Sequence, residues 1–99
     1  MALDIKNIKI RIKDEKQSRA VQKVLFRLGA GWDRTNKTII HTKSHYLYVD
    51  EEQFGFSLAV GNTETFFLDY EYREVTPEQI LNQPIDWANM FKENKKVFR

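Results

Sequence analysis

The side chains whose types suit catalysis or metal binding are few: His41 and His45, the serines Ser18, Ser44 and Ser57, and the carboxylate pairs Glu51 with Glu52 and Asp69 with Glu71. A zinc ion needs three or four converging ligands. His41 and His45 stand four residues apart and would share a face only on a helix, whereas TIIHTKSHYLYV is β-branched and aromatic and reads as strand and turn. The sequence offers them no third ligand. There is no cysteine, which excludes thiolate nucleophiles and disulfides. No motif around the three serines would expose and activate a hydroxyl. The glycines of Leu28-Gly29-Ala30-Gly31-Trp32 follow a helical pattern instead of opening one, so they do not form a phosphate-cradling loop. Asp69 and Glu71 sit beside Arg73 on an outward strand face, where pairing with Lys9, Arg11 or Lys13 of a neighbouring strand accounts for them. The chain reads as a binding protein and not as an enzyme, with no metal and no cofactor.

The elements that position these residues are legible from periodicity. Ile8, Ile10 and Ile12 alternate with Asn7, Lys9, Arg11 and Lys13 in a strand within residues 5–13. Residues 14–32 carry the main helix. Val21, Val24, Leu25 and Leu28 make its apolar stripe, and Lys16, Arg19, Lys23 and Arg27 lie on the remaining surface. Asp14 caps it with Gln17 three residues on, and Gly29-Ala30-Gly31 stops it. Four further strands follow, at residues 38–42, 46–50, 54–60 and 66–73, joined by short polar turns that argue for an antiparallel meander. Thr76-Pro77-Glu78-Gln79 is a capping box with proline at the first helical position, opening a short helix that ends before Pro84. Trp87, Met90 and Phe91 would share a face of one more short helix. The expected fold is α+β, in the order β-α-β-β-β-β-α: an antiparallel sheet with one main helix on one face and a short helical C-terminal tail. Residues 1–84 form a single domain, and residues 85–99 an aromatic and basic tail.

The informative surface is the sheet face turned away from the main helix. By alternation it displays Lys9, Arg11, Lys13, Tyr46, Tyr48, Phe67, Asp69 and Glu71, beside a strand left nearly bare by Gly55, Ser57 and Ala59. Two tyrosines beside a row of cations can stack a base and neutralise a phosphate, so Lys9, Arg11, Lys13, Tyr46 and Tyr48 are candidate residues for a nucleotide or nucleic acid. The same patch suits a protein partner or a second copy of the chain, since an uncovered sheet face or free edge invites a symmetric dimer. A third possibility is that Trp87, Met90 and Phe91 fold over it or themselves make the contact.

Composition bounds these readings. Ninety-nine residues, 41% of them apolar and 13% aromatic, suffice for one core. Net charge is +2 over the whole chain. Residues 1–33, however, hold eight Lys and Arg against four Asp and Glu. Such a surplus can attract nucleic acid, nucleotides or an acidic protein, and more often is a solvated helix and strand face. Charges interrupt every apolar run near the N-terminus, which excludes a signal peptide or membrane span there. The expectation is a cytoplasmic protein without a membrane partner.

The segment Ser18 to Trp32, SRAVQKVLFRLGAGW, resembles a pattern found in small proteins of tailed bacteriophages, in which a strand leads into S-x-x-V-Q-x-x-L-F-x-L-G and then a tryptophan. Tyr46-Leu47-Tyr48-Val49-Asp50 and Glu74-Val75-Thr76-Pro77-Glu78-Gln79-Ile80-Leu81 are similar to later segments of that group. The resemblance spans most of residues 5–81. It implies an accessory role in host takeover or counter-defence inside an infected bacterium, exercised by binding and inhibiting or redirecting a host protein. It carries over no functional residue.

Overall fold

A computed structural model of the chain describes residues 4–53 and 55–82. Strand β1 (Ile8–Arg11) begins just after Asn7, whose left-handed φ of 51° turns the chain into the sheet. Ile8 and Ile10 on β1, and Ile12 just beyond it, are buried on one side. Helix α1 (Glu15–Arg27) follows, and Asp14 caps it by accepting from the Gln17 backbone N–H at 2.8 Å. The Gln17 side chain in turn accepts from the Lys13 N–H at 2.8 Å, so two end groups are satisfied reciprocally. At the far end Gly29 takes φ 101°, and the Lys37 ammonium donates to the Phe26 carbonyl at 2.8 Å. Cations are favoured at a helix C-terminus.

After the two-residue strand β2 (Ala30–Gly31) the chain turns tightly, with Trp32 bridged to Asn36 and both Asp33 and Arg34 at positive φ. Residues 38–42, expected as a strand, are not one. The reason lies in Gln22 of α1, which is fully buried and acts as a surrogate strand edge. Its amide donates to the Ile40 carbonyl at 2.8 Å and its oxygen accepts from the Ile40 N–H at 3.3 Å. The Trp32 indole N–H takes the Thr38 carbonyl at 3.0 Å, and His41 at φ 57° ends the extended run. Ile39 and Ile40 still pack on the core.

Strands β3 (Tyr46–Glu52) and β4 (Gly55–Gly61) form the expected antiparallel hairpin, with Tyr48 opposite Ala59. The expected fifth strand at residues 66–73 is replaced by helix α2 (Glu64–Asp69) and a two-residue strand β5 (Arg73–Glu74). Helix α3 (Pro77–Leu81) carries the capping box as expected, with Thr76 and Gln79 bonded in both directions. The order is therefore β-α-β-β-β-α-β-α. The α+β class and the main helix on one sheet face stand, but the sheet is mixed, not purely antiparallel. Its strand order is β2-β4-β3-β1-β5, with antiparallel pairs in the centre and a parallel pair at each rim. The helix expected around Trp87 and the 85–99 tail lie outside the described residues.

The core lies between the sheet and the layer of α1 and α3. Ile8, Ile10, Leu47, Val49 and Leu58 face Val21, Leu25 and Phe26 of α1 and Ile80 of α3. No helix among the described residues is long and apolar enough to cross a membrane.

Candidate functional site

Alternation along β1 and β3 sends Lys9, Arg11, Tyr46 and Tyr48 to the sheet face away from α1. The antiparallel register sets Lys9 opposite Tyr48 and Arg11 opposite Tyr46. The sequence pattern placed these four residues together, and the structure does the same. What it adds is α2, which lies across them. Thr63 caps α2 by accepting from the Phe66 N–H at 3.3 Å, and Glu64 occupies the first turn, where the dipole favours an acid. Phe67 points inward and is fully buried. Its ring centre lies 5.1 Å from that of Tyr46 and 6.0 Å from that of Tyr48. The Lys9 ammonium is 4.8 Å and the Arg11 guanidinium 5.0 Å from the same ring.

Lys9 is the fastening. It is 7% exposed and donates to the carbonyls of Phe67, Leu68 (3.4 Å) and Tyr70 (2.9 Å). These are carbonyls at the end of α2, where a helix leaves acceptors without partners and its dipole is negative. Arg11 forms an exposed ion pair with Glu64 at the other end of α2, which raises its pKa further. Tyr48 is 3% exposed, and its hydroxyl is buried without a hydrogen-bond partner among the described residues. Burial pushes that phenol's pKa up. Gly61 makes room for the ring, since a Cβ there would come within 2.9 Å of it.

From Tyr48 a line of rings runs outward through Phe66, Tyr70 and Tyr72, each packed against the next. Tyr72 closes the line by donating to the Asp50 carboxylate, and that bond raises the phenol's pKa strongly. Outside this layer Phe66 is 52% and Leu68 59% exposed, flanking the buried Phe67. Glu64, Asp69 and Glu71 are exposed around them. Phe66 and Leu68 escaped the sequence reading because Phe66, Leu68, Tyr70 and Tyr72 alternate as in a strand. The signal that finds the helix is Thr63 before Glu64, an N-cap followed by a first-turn acid.

The remaining candidates separate. Lys13 lies beyond the end of β1 and lines a shallow depression of about 280 Å³ with Asp14, Glu15, Thr42, Lys43, Ser44 and His45. His41 packs edge-on against Trp32, while His45 Nδ1 lies 2.9 Å from the Ile12 carbonyl, so the two rings are engaged separately. Among the described residues no three His, Asp or Glu side chains converge as a metal site would require. Trp87, Met90 and Phe91 lie outside the described residues. No family model, curated protein or solved structure matches this chain.

Proposed function

We propose that this chain is a non-enzymatic accessory protein of the tailed-phage kind, which binds a protein of its bacterial host and inhibits or redirects it, an anti-phage defence protein being one such target. The phage setting rests on the resemblance of residues 18–32, 46–50 and 74–81. The binding mode rests on one observation: Phe66 and Leu68 project from a helix whose inner face is anchored by Phe67 and Lys9. An apolar centre held in place and rimmed by Glu64, Asp69 and Glu71 has the anatomy of an interface. Its complement is an apolar cleft bordered by Lys or Arg, because acids at a rim steer basic partners.

The test is retention of host proteins from bacterial lysate on the full chain and on a Phe66→Ser, Leu68→Ser variant. Leu68 is exposed and has no part in the line of rings, whereas Phe66 packs on Tyr48 and Tyr70, so the variant should melt somewhat lower than the parent. Leu68→Ser alone, which should melt like the parent, is carried as the control. Anchors of this kind together contribute about 2 kcal/mol or more, so one stoichiometric host protein should lose about thirtyfold or more in affinity. Recovery of only a second copy of the chain, or a partner held equally by both proteins, would overturn this mode.

The nucleotide or nucleic-acid alternative at the sheet face has lost the observation that favoured it. Lys9 is committed to three carbonyls, Arg11 is paired with Glu64, and Tyr48 is covered by α2.

A further inference from the structure

Helix α1 turns a second, independent surface outward. Lys16, Arg19, Lys23 and Arg27 are all exposed, and their spacing of three, four and four residues puts them in one row. At 3.6 residues per turn they fall within roughly 80° of the helix circumference and span about 16 Å along its axis. Among the described residues none of the four forms an ion pair, and the pairs present there are Lys6 with Glu51 and Arg11 with Glu64. Lys13 and Lys43 continue the positive charge at the depression beside the start of α1, where Asp14 and Glu15 also lie, and Lys37 continues it at the end.

The rest of the molecule accentuates this row. Residues 13–45 carry eight Lys and Arg against three Asp and Glu, while residues 46–82 carry one against eight. Glu64 and Asp69 belong to α2, on the opposite sheet face. Glu78 of α3 and Asp14 and Glu15 lie on the α1 side as well, but the cations outnumber them there. With Glu64 and Asp69 on the α2 side, a polyanion is drawn to the α1 side in preference.

We propose that the outward face of α1 binds the phosphate backbone of double-stranded nucleic acid without reading its sequence. With both strands counted, a duplex carries one phosphate charge per about 1.7 Å of axis, so about 16 Å of helix faces more phosphates than the four cations need to meet one each. The apolar residues of α1, Val21, Leu25 and Phe26, are buried in the core and cannot enter a bilayer, whereas a surface helix bound to membrane needs them free. No exposed aromatic ring accompanies the row on α1, so the base stacking that selects single strands is missing. This surface does not depend on the α2 interface proposed above.

The experiment is fluorescence anisotropy of the full chain with a labelled mixed-sequence duplex DNA of about 20 base pairs, between 50 and 200 mM NaCl. Four phosphate contacts give a log–log salt slope of about −3.6, or roughly a hundredfold loss of affinity over that range. Arg19→Glu with Lys23→Glu should roughly halve the slope and weaken binding at least thirtyfold or so at the lower salt. Lys6→Glu, away from the row, should leave affinity within about threefold, and Phe66→Ser with Leu68→Ser should leave duplex binding intact. A slope shallower than about −1 would overturn the proposal. So would equal loss in Lys6→Glu, tighter binding of the single strand, or binding confined to anionic phosphatidylserine vesicles.

Discussion

Lys9 and Tyr48 face each other across β1 and β3, and each is almost wholly enclosed, yet their energetic roles oppose one another. The Lys9 ammonium satisfies carbonyls at the end of α2. Lys9→Met keeps the aliphatic stem and removes the donor, leaving buried acceptors without partners. Hydrogen bonds from a charged donor contribute about 1.5–3 kcal/mol, so urea unfolding should show a loss near 2 kcal/mol. Fluorescence of the Tyr70 region should change before global unfolding if α2 loosens first. Tyr48→Phe should do the opposite. It removes a hydroxyl that is buried without a partner among the described residues, so stability should stay level or rise by about 1 kcal/mol in the same unfolding experiment. A loss on Tyr48→Phe would mean that this hydroxyl has a partner after all. Alternation was enough to place Lys9 and Tyr48 on one face, because a strand period of two is a strict geometric rule. It could not reveal that both are covered, because coverage is decided by α2, which is remote from them in the chain.

At the scale of elements, what could be read from the sequence was whatever local chemistry determines. Asp14 with Gln17, Gly29, and Thr76-Pro77-Glu78-Gln79 act within a few residues, and α1 and α3 formed where those residues placed them. Two strands were misplaced for tertiary reasons. Residues 38–42 have strand-like side chains, but their backbone partner is the Gln22 side chain of α1. Residues 66–73 alternate in polarity, yet the sheet already had its reverse face to fill, and Phe67 fills it from a helix. Gln22 thus holds a whole segment in place. Gln22→Leu has a similar volume but abandons both bonds to the half-buried Ile40 backbone and the 3.1 Å bond that Gln22 donates to the buried Ser18 hydroxyl. Each unsatisfied buried group costs about 1–3 kcal/mol, so the expected global loss is about 3 kcal/mol. Hydrogen exchange at the Ile40 amide should accelerate more than that at Leu47 or Val49 in β3, because the 38–42 segment loses its anchor while the central strands keep theirs. Uniform acceleration across the sheet would show instead that Gln22 acts only through core packing.

For the whole molecule the governing feature is how charge is distributed about the sheet. Net charge, at +2, hides two patches of opposite sign. Like charges stand close within each patch: neighbours in the α1 row are about 6 Å apart along the helix, and cations at i, i+4 repel. The attraction between the patches acts across the sheet, over distances longer than the Debye length of about 10 Å at 0.1 M salt. At that ionic strength the repulsion survives and the attraction is screened. Raising NaCl from 0.1 to 0.5 M shortens the Debye length to about 4 Å and removes the remaining repulsion. The two ion pairs among the described residues are exposed and lose little by screening. The melting temperature should therefore rise with salt, by about 2–4 °C for each half kcal/mol recovered. Lys23→Glu is the decisive variant. It places a carboxylate four residues from both Arg19 and Arg27, turning two repulsions into two attractions of about 0.3–0.5 kcal/mol each. At 0.1 M salt it should melt higher than the parent and respond less to added salt, while binding duplex DNA more weakly. Higher stability combined with weaker binding is what a row of cations kept at a cost to folding would produce. If Lys23→Glu were less stable than the parent, the row would be part of what holds α1 in place, and its alignment would need no ligand to explain it.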